Sequence, residues 1–103
     1  MSGYILTPIA QEDLVAIRDY YLEEAGAHVA RQMLVEFIQA FRFISGTPGA
    51  GHKREDLAED RSVLFWRMRD FLIIYKRDAY PIQVVTIARG TRDIPTLIKK
   101  RDL

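Results

Sequence analysis

The sequence predicts a small α+β domain of order β-α-α-β-β-β-α, in which a helical hairpin packs on one face of a small, mainly antiparallel sheet. Three observations predict it. Apolar residues recur at spacings of three and four from Ala10 to Ile44, the signature of one buried helix face. The spacing then falls to two, in runs of β-branched and aromatic residues between Val63 and Arg89. A stretch rich in glycine and charge, "SGTPGAGHKREDLAEDR" (Ser45–Arg61), divides the two regimes and reads as a long, mobile loop. At 103 residues the chain is one domain, spanning 1–103.

"YILT" (Tyr4–Thr7) reads as the first strand. Thr7-Pro8 has the form of a helix start, with a hydroxyl at the N-cap and proline at the first helical position, where no N–H is needed. Glu12 and Asp13 then suit the helix dipole, Ala10, Leu14, Ile17 and Tyr21 mark the buried stripe, and Gly26 is the stop. A second helix follows over His28–Ile44, with Ala30, Leu34, Phe37, Phe41 and Ile44 inward. "VLFWRMR" (Val63–Arg69), "FLIIYKR" (Phe71–Arg77) and "IQVVTIAR" (Ile82–Arg89) read as an antiparallel meander turning at Asp70 and at Asp78–Pro81. "FLIIY" is apolar on both faces and so reads as the central strand. Asp93 caps a last helix of about two turns, with Pro95 in its first turn and Leu97 and Ile98 as its apolar residues.

Composition narrows the possible chemistry. With no cysteine, disulfides, iron–sulfur clusters and thiolate zinc sites are excluded, which suits a reducing cytoplasm. The N-terminus has no basic segment leading into a long apolar run, so no signal peptide is expected, and no run approaches the ~20 residues of a membrane span. The net charge of +1 conceals an asymmetry. Residues 1–60 carry five Lys/Arg against ten Asp/Glu, whereas residues 61–103 carry ten against four. Such a bipolar chain suggests an acidic solvated side and a basic side facing a partner.

His28 and His52 have no partner at metal-ligand spacing, and no metal or other cofactor is expected. Neither Ser2, Ser45 nor Ser62 has the setting of a nucleophile. "GTPGAG" (Gly46–Gly51) lacks the Gly-Lys-Ser/Thr of a phosphate loop. Acid–base cleavage of RNA needs cations for the phosphate together with proton-transfer groups. Arg67, Arg69, Arg89 and Arg92 could supply the cations, but Tyr75 sits in an apolar strand and reads as core.

"YILTPIAQEDLVAIRDYY", the Pro48-Gly49 loop, "FLIIYKRD" and "VVTIARGTRDIPTLI" resemble toxins of the ParE/RelE superfamily, the toxin halves of type II toxin–antitoxin modules. The resemblance covers nearly the whole chain, including an opening of the form Y-x-[LF]-[TS]-x-x-A-x-x-D-L-x-x-I and an "-RGTRD-" element before the last helix. It implies the RelE/ParE-like fold, a bacterial or plasmid operon, and an antitoxin that wraps the toxin in a hetero-oligomer. The RelE-like branch cleaves messenger RNA on the ribosome, with basic residues on the sheet and commonly a tyrosine or histidine in the C-terminal segment. Here Leu72 stands where that branch tends to place an arginine, and Asp93–Leu103 contains neither tyrosine nor histidine. The ending "-RGTRDIPTLI-" is similar instead to ParE-like toxins, which inhibit DNA gyrase as protein poisons and have no established catalytic residues. The resemblance thus implies a non-enzymatic, cytoplasmic gyrase inhibitor neutralised by a ParD-like antitoxin, with operator DNA contacted only through that antitoxin. A ribosome-dependent endoribonuclease is the alternative, and a degenerate member retained for binding is a third reading.

Helices on one sheet face leave the other thinly covered. Alternation directs Leu64, Trp66 and Met68 to the helices and Phe65, Arg67 and Arg69 to the open face. Phe65, Arg67 and Arg69 are therefore the expected antitoxin-binding residues. Arg89, Arg92, Lys99, Lys100 and Arg101 make the end of the chain basic and are the expected target-binding residues. Removing the tail after Asp93 is expected to leave a folded, antitoxin-binding domain without toxicity.

Overall fold

The computed structural model describes residues 3–54, 63–78, 80–90 and 93–101. Its elements are β1 (Tyr4–Leu6), α1 (Pro8–Ala25), α2 (Ala27–Gly46), a 3-10 turn (Pro48–Ala50), β2 (Val63–Met68), β3 (Phe71–Lys76), β4 (Ile82–Arg89) and α3 (Ile94–Lys100). The strands lie in the order β1-β4-β3-β2, with β1 parallel to β4 and the other pairs antiparallel. The expected order of elements is thereby met.

Thr7 opens α1 as its sequence position suggested: its Oγ1 accepts from the Ala10 N–H at 3.2 Å and donates to the Val85 carbonyl at 3.3 Å. A single residue, Gly26, separates the two helices. Its φ of 93° is closed to most L residues, which lets the chain reverse within one residue. The hairpin lays Phe37, Phe41 and Ile44 of α2 onto Leu64, Met68, Phe71, Ile73, Tyr75, Ile82, Val84 and Ile87 of the sheet. Ala10 is the residue of α1 buried completely, with Leu14, Ile17 and Tyr21 packed at the margin. Glu12 and Asp13 fall beyond the first turn of α1, and Asp13 contacts β4 instead of the helix terminus.

The register of β4 shifts between Ile74 and Tyr75: Ile74 opposes Thr86, whereas Tyr75 opposes Val84. The extra residue is a bulge, and it resets the alternation of the strand. Ile82, Val84 and Ile87 all face the helical hairpin, although the step from 84 to 87 is odd. Val85 and Ala88 face the other way.

That other face is covered, which corrects the expectation of an open one. Ile94, Leu97 and Ile98 of α3 pack on Val63, Phe65, Leu72, Ile74, Val85 and Ala88 as a second apolar cluster. The fold thus has three layers, with a sheet buried on both sides by helices of unequal size. β3 lies inside the sheet and is buried through its first five residues. The same packing corrects the expectation that the tail can be removed without harm, since its helix closes a core.

The described part of the loop after α2 is tied to the sheet by hydrogen bonds. Tyr75, fully buried, donates its hydroxyl to the Pro48 carbonyl at 2.6 Å and accepts from the Gly51 N–H at 2.9 Å. Burial raises the Tyr75 phenol above its usual value, against the lowering effect of the Gly51 hydrogen bond. A Cβ on Gly51 would collide with the Tyr75 hydroxyl, so the close approach requires glycine there. His52 then exchanges two backbone hydrogen bonds of 2.8 Å with Phe65, shielding the outer edge of β2. The remainder of the expected loop, residues 55–61, lies outside the described residues.

Candidate functional site

The three residues expected to form one antitoxin-binding face are separated by the structure. Phe65 is 2% exposed beneath α3, which corrects its placement on an open surface. Arg67 is exposed at the end of β2 on the α3 side of the sheet, opposite Leu72, and its Nε donates to the Arg69 carbonyl at 3.0 Å. Arg69 begins the two-residue connection to β3 with φ of 53°. Two-residue hairpin loops need positive φ at one or both central positions, a demand usually met by glycine or asparagine. An arginine held there carries backbone strain, and its side chain leaves the strand alternation. It reaches α2, where Nε and Nη2 donate to the two carboxylate oxygens of Glu36 at 2.7 and 2.8 Å. This bidentate contact holds the Glu36 carboxyl below its usual value and raises the Arg69 guanidinium further.

Arg89 approaches the same end of the sheet from β4, where it opposes Phe71. Its guanidinium carbon lies 5.0 Å from the centre of the Tyr20 ring and 5.1 Å from that of Phe71. Tyr20, half exposed, stacks edge-on against Tyr21, which in turn meets Phe71. These two ring contacts hold the Arg89 guanidinium in place. The ends of β2 and β4 and the last turns of α1 therefore form a cationic, aromatic corner.

The tail cations divide by environment. Lys99 and Lys100 are exposed in the last turn of α3. Arg101, whose side chain is 21% exposed, is engaged within the fold: it binds Asp13 and Thr86, which corrects its reading as a free docking charge. Arg92, the remaining expected target-binding residue, lies outside the described residues. A separate feature lies on the outside of the helical hairpin, where Val15 and Leu22 of α1 and Val35 and Ile38 of α2 are each between 37% and 49% exposed.

Comparison with known proteins places the chain in a family. Residues 4–94 match the family described as "ParE toxin of type II toxin-antitoxin system, parDE". The chain belongs to the ParE toxin family. Its fold also matches a solved structure described as "Chromosomal ParDE TA system from P. aeruginosa", with a TM-score of 0.72, 22% identity, and coverage of 86% of this chain and 96% of that one. The comparison with curated proteins gives no match.

In this ParE chain, four residues of the site were missed by sequence reasoning. Asp13 reads from the sequence as a partner of the helix dipole, although its spacing of three from the inward-facing Ala10 places it beside the face that meets the sheet. Glu36 lies on α2 between the inward-facing Met33 and Phe37, a position that was a legible signal of contact with the sheet rim. Tyr20 and Thr86 gave no separable signal, since a tyrosine beside Tyr21 and a threonine in a β-strand are both ordinary.

Proposed function

We propose that this ParE chain inhibits DNA gyrase as a non-enzymatic protein poison, and that a ParD-like antitoxin neutralises it in a toxin–antitoxin hetero-oligomer. Family membership over residues 4–94 is the observation that carries the reading. The chemistry of the interior supports it. The tyrosine best placed by sequence for acid–base work, Tyr75, is buried with its hydroxyl occupied by Pro48 and Gly51. Leu72, at the position where an RNA-cleaving relative would carry a cation, is buried under α3. What the surface offers is binding: Arg67, Arg89, Lys99 and Lys100 can meet a negatively charged assembly without reading its sequence.

The antitoxin falls to a different surface. Val15, Leu22, Val35 and Ile38 give the outer hairpin an apolar strip, and the cationic corner adjoins α1. An acidic, amphipathic segment that orders as it binds would satisfy both, with apolar anchors setting residence time and ion pairs setting association rate. Operator DNA is then contacted through the antitoxin, in the cytoplasm. Among the described residues no helix is long and apolar enough to cross a membrane.

The test is a pair of assays on the purified chain: gyrase supercoiling, and ribosome-dependent cleavage of a messenger. Inhibition of the first without activity in the second is expected. Messenger cleavage would overturn the proposal in favour of an endoribonuclease.

A further inference from the structure

We infer that Asp13 is the positioning residue of the C-terminal helix: its carboxylate, fixed to β4, receives Arg101 and so sets the orientation in which Lys99 and Lys100 are presented. The functional half of this inference rests on the proposed role of the tail in target binding.

The geometry begins with a missing strand neighbour. β1 is three residues long and pairs with Ile82, Gln83 and Val84 of β4, so the ladder stops before Ile87. Asp13 takes over where the strand ends. Its Oδ2 accepts the Ile87 N–H at 3.0 Å, fastening α1 to the stretch of β4 edge that β1 does not reach. The same carboxylate accepts from Arg101 through two bonds, Nη1 to Oδ2 at 2.7 Å and Nη2 to Oδ1 at 3.0 Å. Nη1 also reaches Thr86 Oγ1, on the α3 side of the sheet, at 3.3 Å. The contact thus passes around the edge of the sheet and ties the helical layer on one face to the helix on the other. It is sheltered, with the Arg101 side chain 21% exposed and that of Asp13 11% exposed.

A helix as short as α3 needs such a tie. Seven residues are too few for a stable isolated helix, so its order comes from packing. Ile94, Leu97 and Ile98 supply apolar contact, which is non-directional and tolerates sliding and rotation. A planar guanidinium gripping a carboxylate with two parallel bonds tolerates neither. Arg101 directly follows Lys100, so fixing its guanidinium fixes the turn that carries both exposed lysines. Asp13 therefore has a role outside its own helix: it aims the tail.

The experiment compares Asp13→Asn, Arg101→Gln, the double variant and Arg101→Lys in the full chain. Amide exchange in α3 is measured on the free protein, inhibition is measured on gyrase, and circular dichroism monitors the fold. Each of the two neutral variants should speed exchange at Leu97–Arg101 about tenfold or more, as expected for local release of a sheltered ion pair. The double variant should be no worse than either single change, and Arg101→Lys should fall between. Gyrase inhibition should weaken to the same degree in both single variants. Asp13→Asn leaves every tail charge in place, so if Arg101 acted by touching the target itself, that variant would remain inhibitory while Arg101→Gln failed. That result, or unchanged exchange in either variant, overturns the inference. If Asp13→Asn does not fold, Asp13→Glu, which also keeps all the tail charges but displaces the carboxylate by one methylene from the Ile87 N–H and the paired Arg101 bonds, takes its place, with faster exchange and weaker inhibition expected and unchanged exchange overturning the inference. Should the wild-type chain itself fail to inhibit gyrase, the target reading falls, while exchange and double-variant coupling still decide whether Asp13 holds the helix.

Discussion

Ending the chain at Asp93 should unfold it. Truncation removes Ile94, Leu97 and Ile98, which are 1%, 6% and 8% exposed in the intact fold. Burying a side chain of this size contributes about 1.5–3 kcal/mol, so the three together represent roughly 5–9 kcal/mol. The loss does not end there, because Phe65, Leu72, Ile74, Val85 and Ala88 would be uncovered at the same time, and Asp13 would lose Arg101. A domain of this length has a total stability of about 5–15 kcal/mol, so the truncation removes a large share or all of it. Trp66, the one tryptophan, packs against the main core and reports on its integrity. Urea denaturation followed by Trp66 fluorescence and by circular dichroism should show no cooperative transition for the truncated chain, or one shifted far toward zero denaturant. A truncated chain that unfolds cooperatively near the wild-type midpoint would show that α3 is not a structural layer, and would refute the three-layer account.

Three further outcomes follow from the same structure. Tyr75→Phe should cost about 1–3 kcal/mol, because it leaves the Pro48 carbonyl and Gly51 N–H without their partner; thermal unfolding measures this, and an unchanged midpoint would show that the loop is not held there. Because Arg69 holds Glu36 below its ordinary value of 4.5, its contribution is complete above that value and is lost as pH falls through the lower folded value. Glu36→Gln should therefore be less stable than wild type at neutral pH, with the difference in urea midpoint closing under acid conditions, and a pH-independent difference would contradict the assignment. Arg89→Met should lower stability by only about 0.5–1 kcal/mol through the lost ring contacts, yet reduce gyrase inhibition much more strongly. A variant that inhibits as well as wild type would remove Arg89 from the target surface.

What the sequence determined by itself is the content that local physics encodes. Thr7-Pro8 and Gly26 bound α1 because a cap and a φ of 93° are properties of single residues. The apolar spacings from Ala10 to Ile44, Leu34 apart, and the alternation of Leu64, Trp66 and Met68 identified the inward faces, since each element repeats its side-chain directions at a fixed period. Family membership was legible for the same reason: the opening strand, its helix and the "-RGTRD-" ending are contiguous stretches. Only the tertiary structure decided what covers each face. Phe65 was correctly assigned to the side away from the hairpin, but the pattern of a strand says nothing about whether a helix thirty or so residues later will return to bury it. The bulge near Val85 was equally out of reach, because it arises from the pairing of two strands. Charge was the least legible of all. Arg67, Arg69, Arg89 and Arg101 are the same residue in the sequence, yet in the fold they separate into an exposed cation, a partner of Glu36, a guanidinium on two rings and the partner of Asp13. A long, flexible side chain takes its role from whatever the fold brings within its reach, and that is decided by contacts distant in sequence.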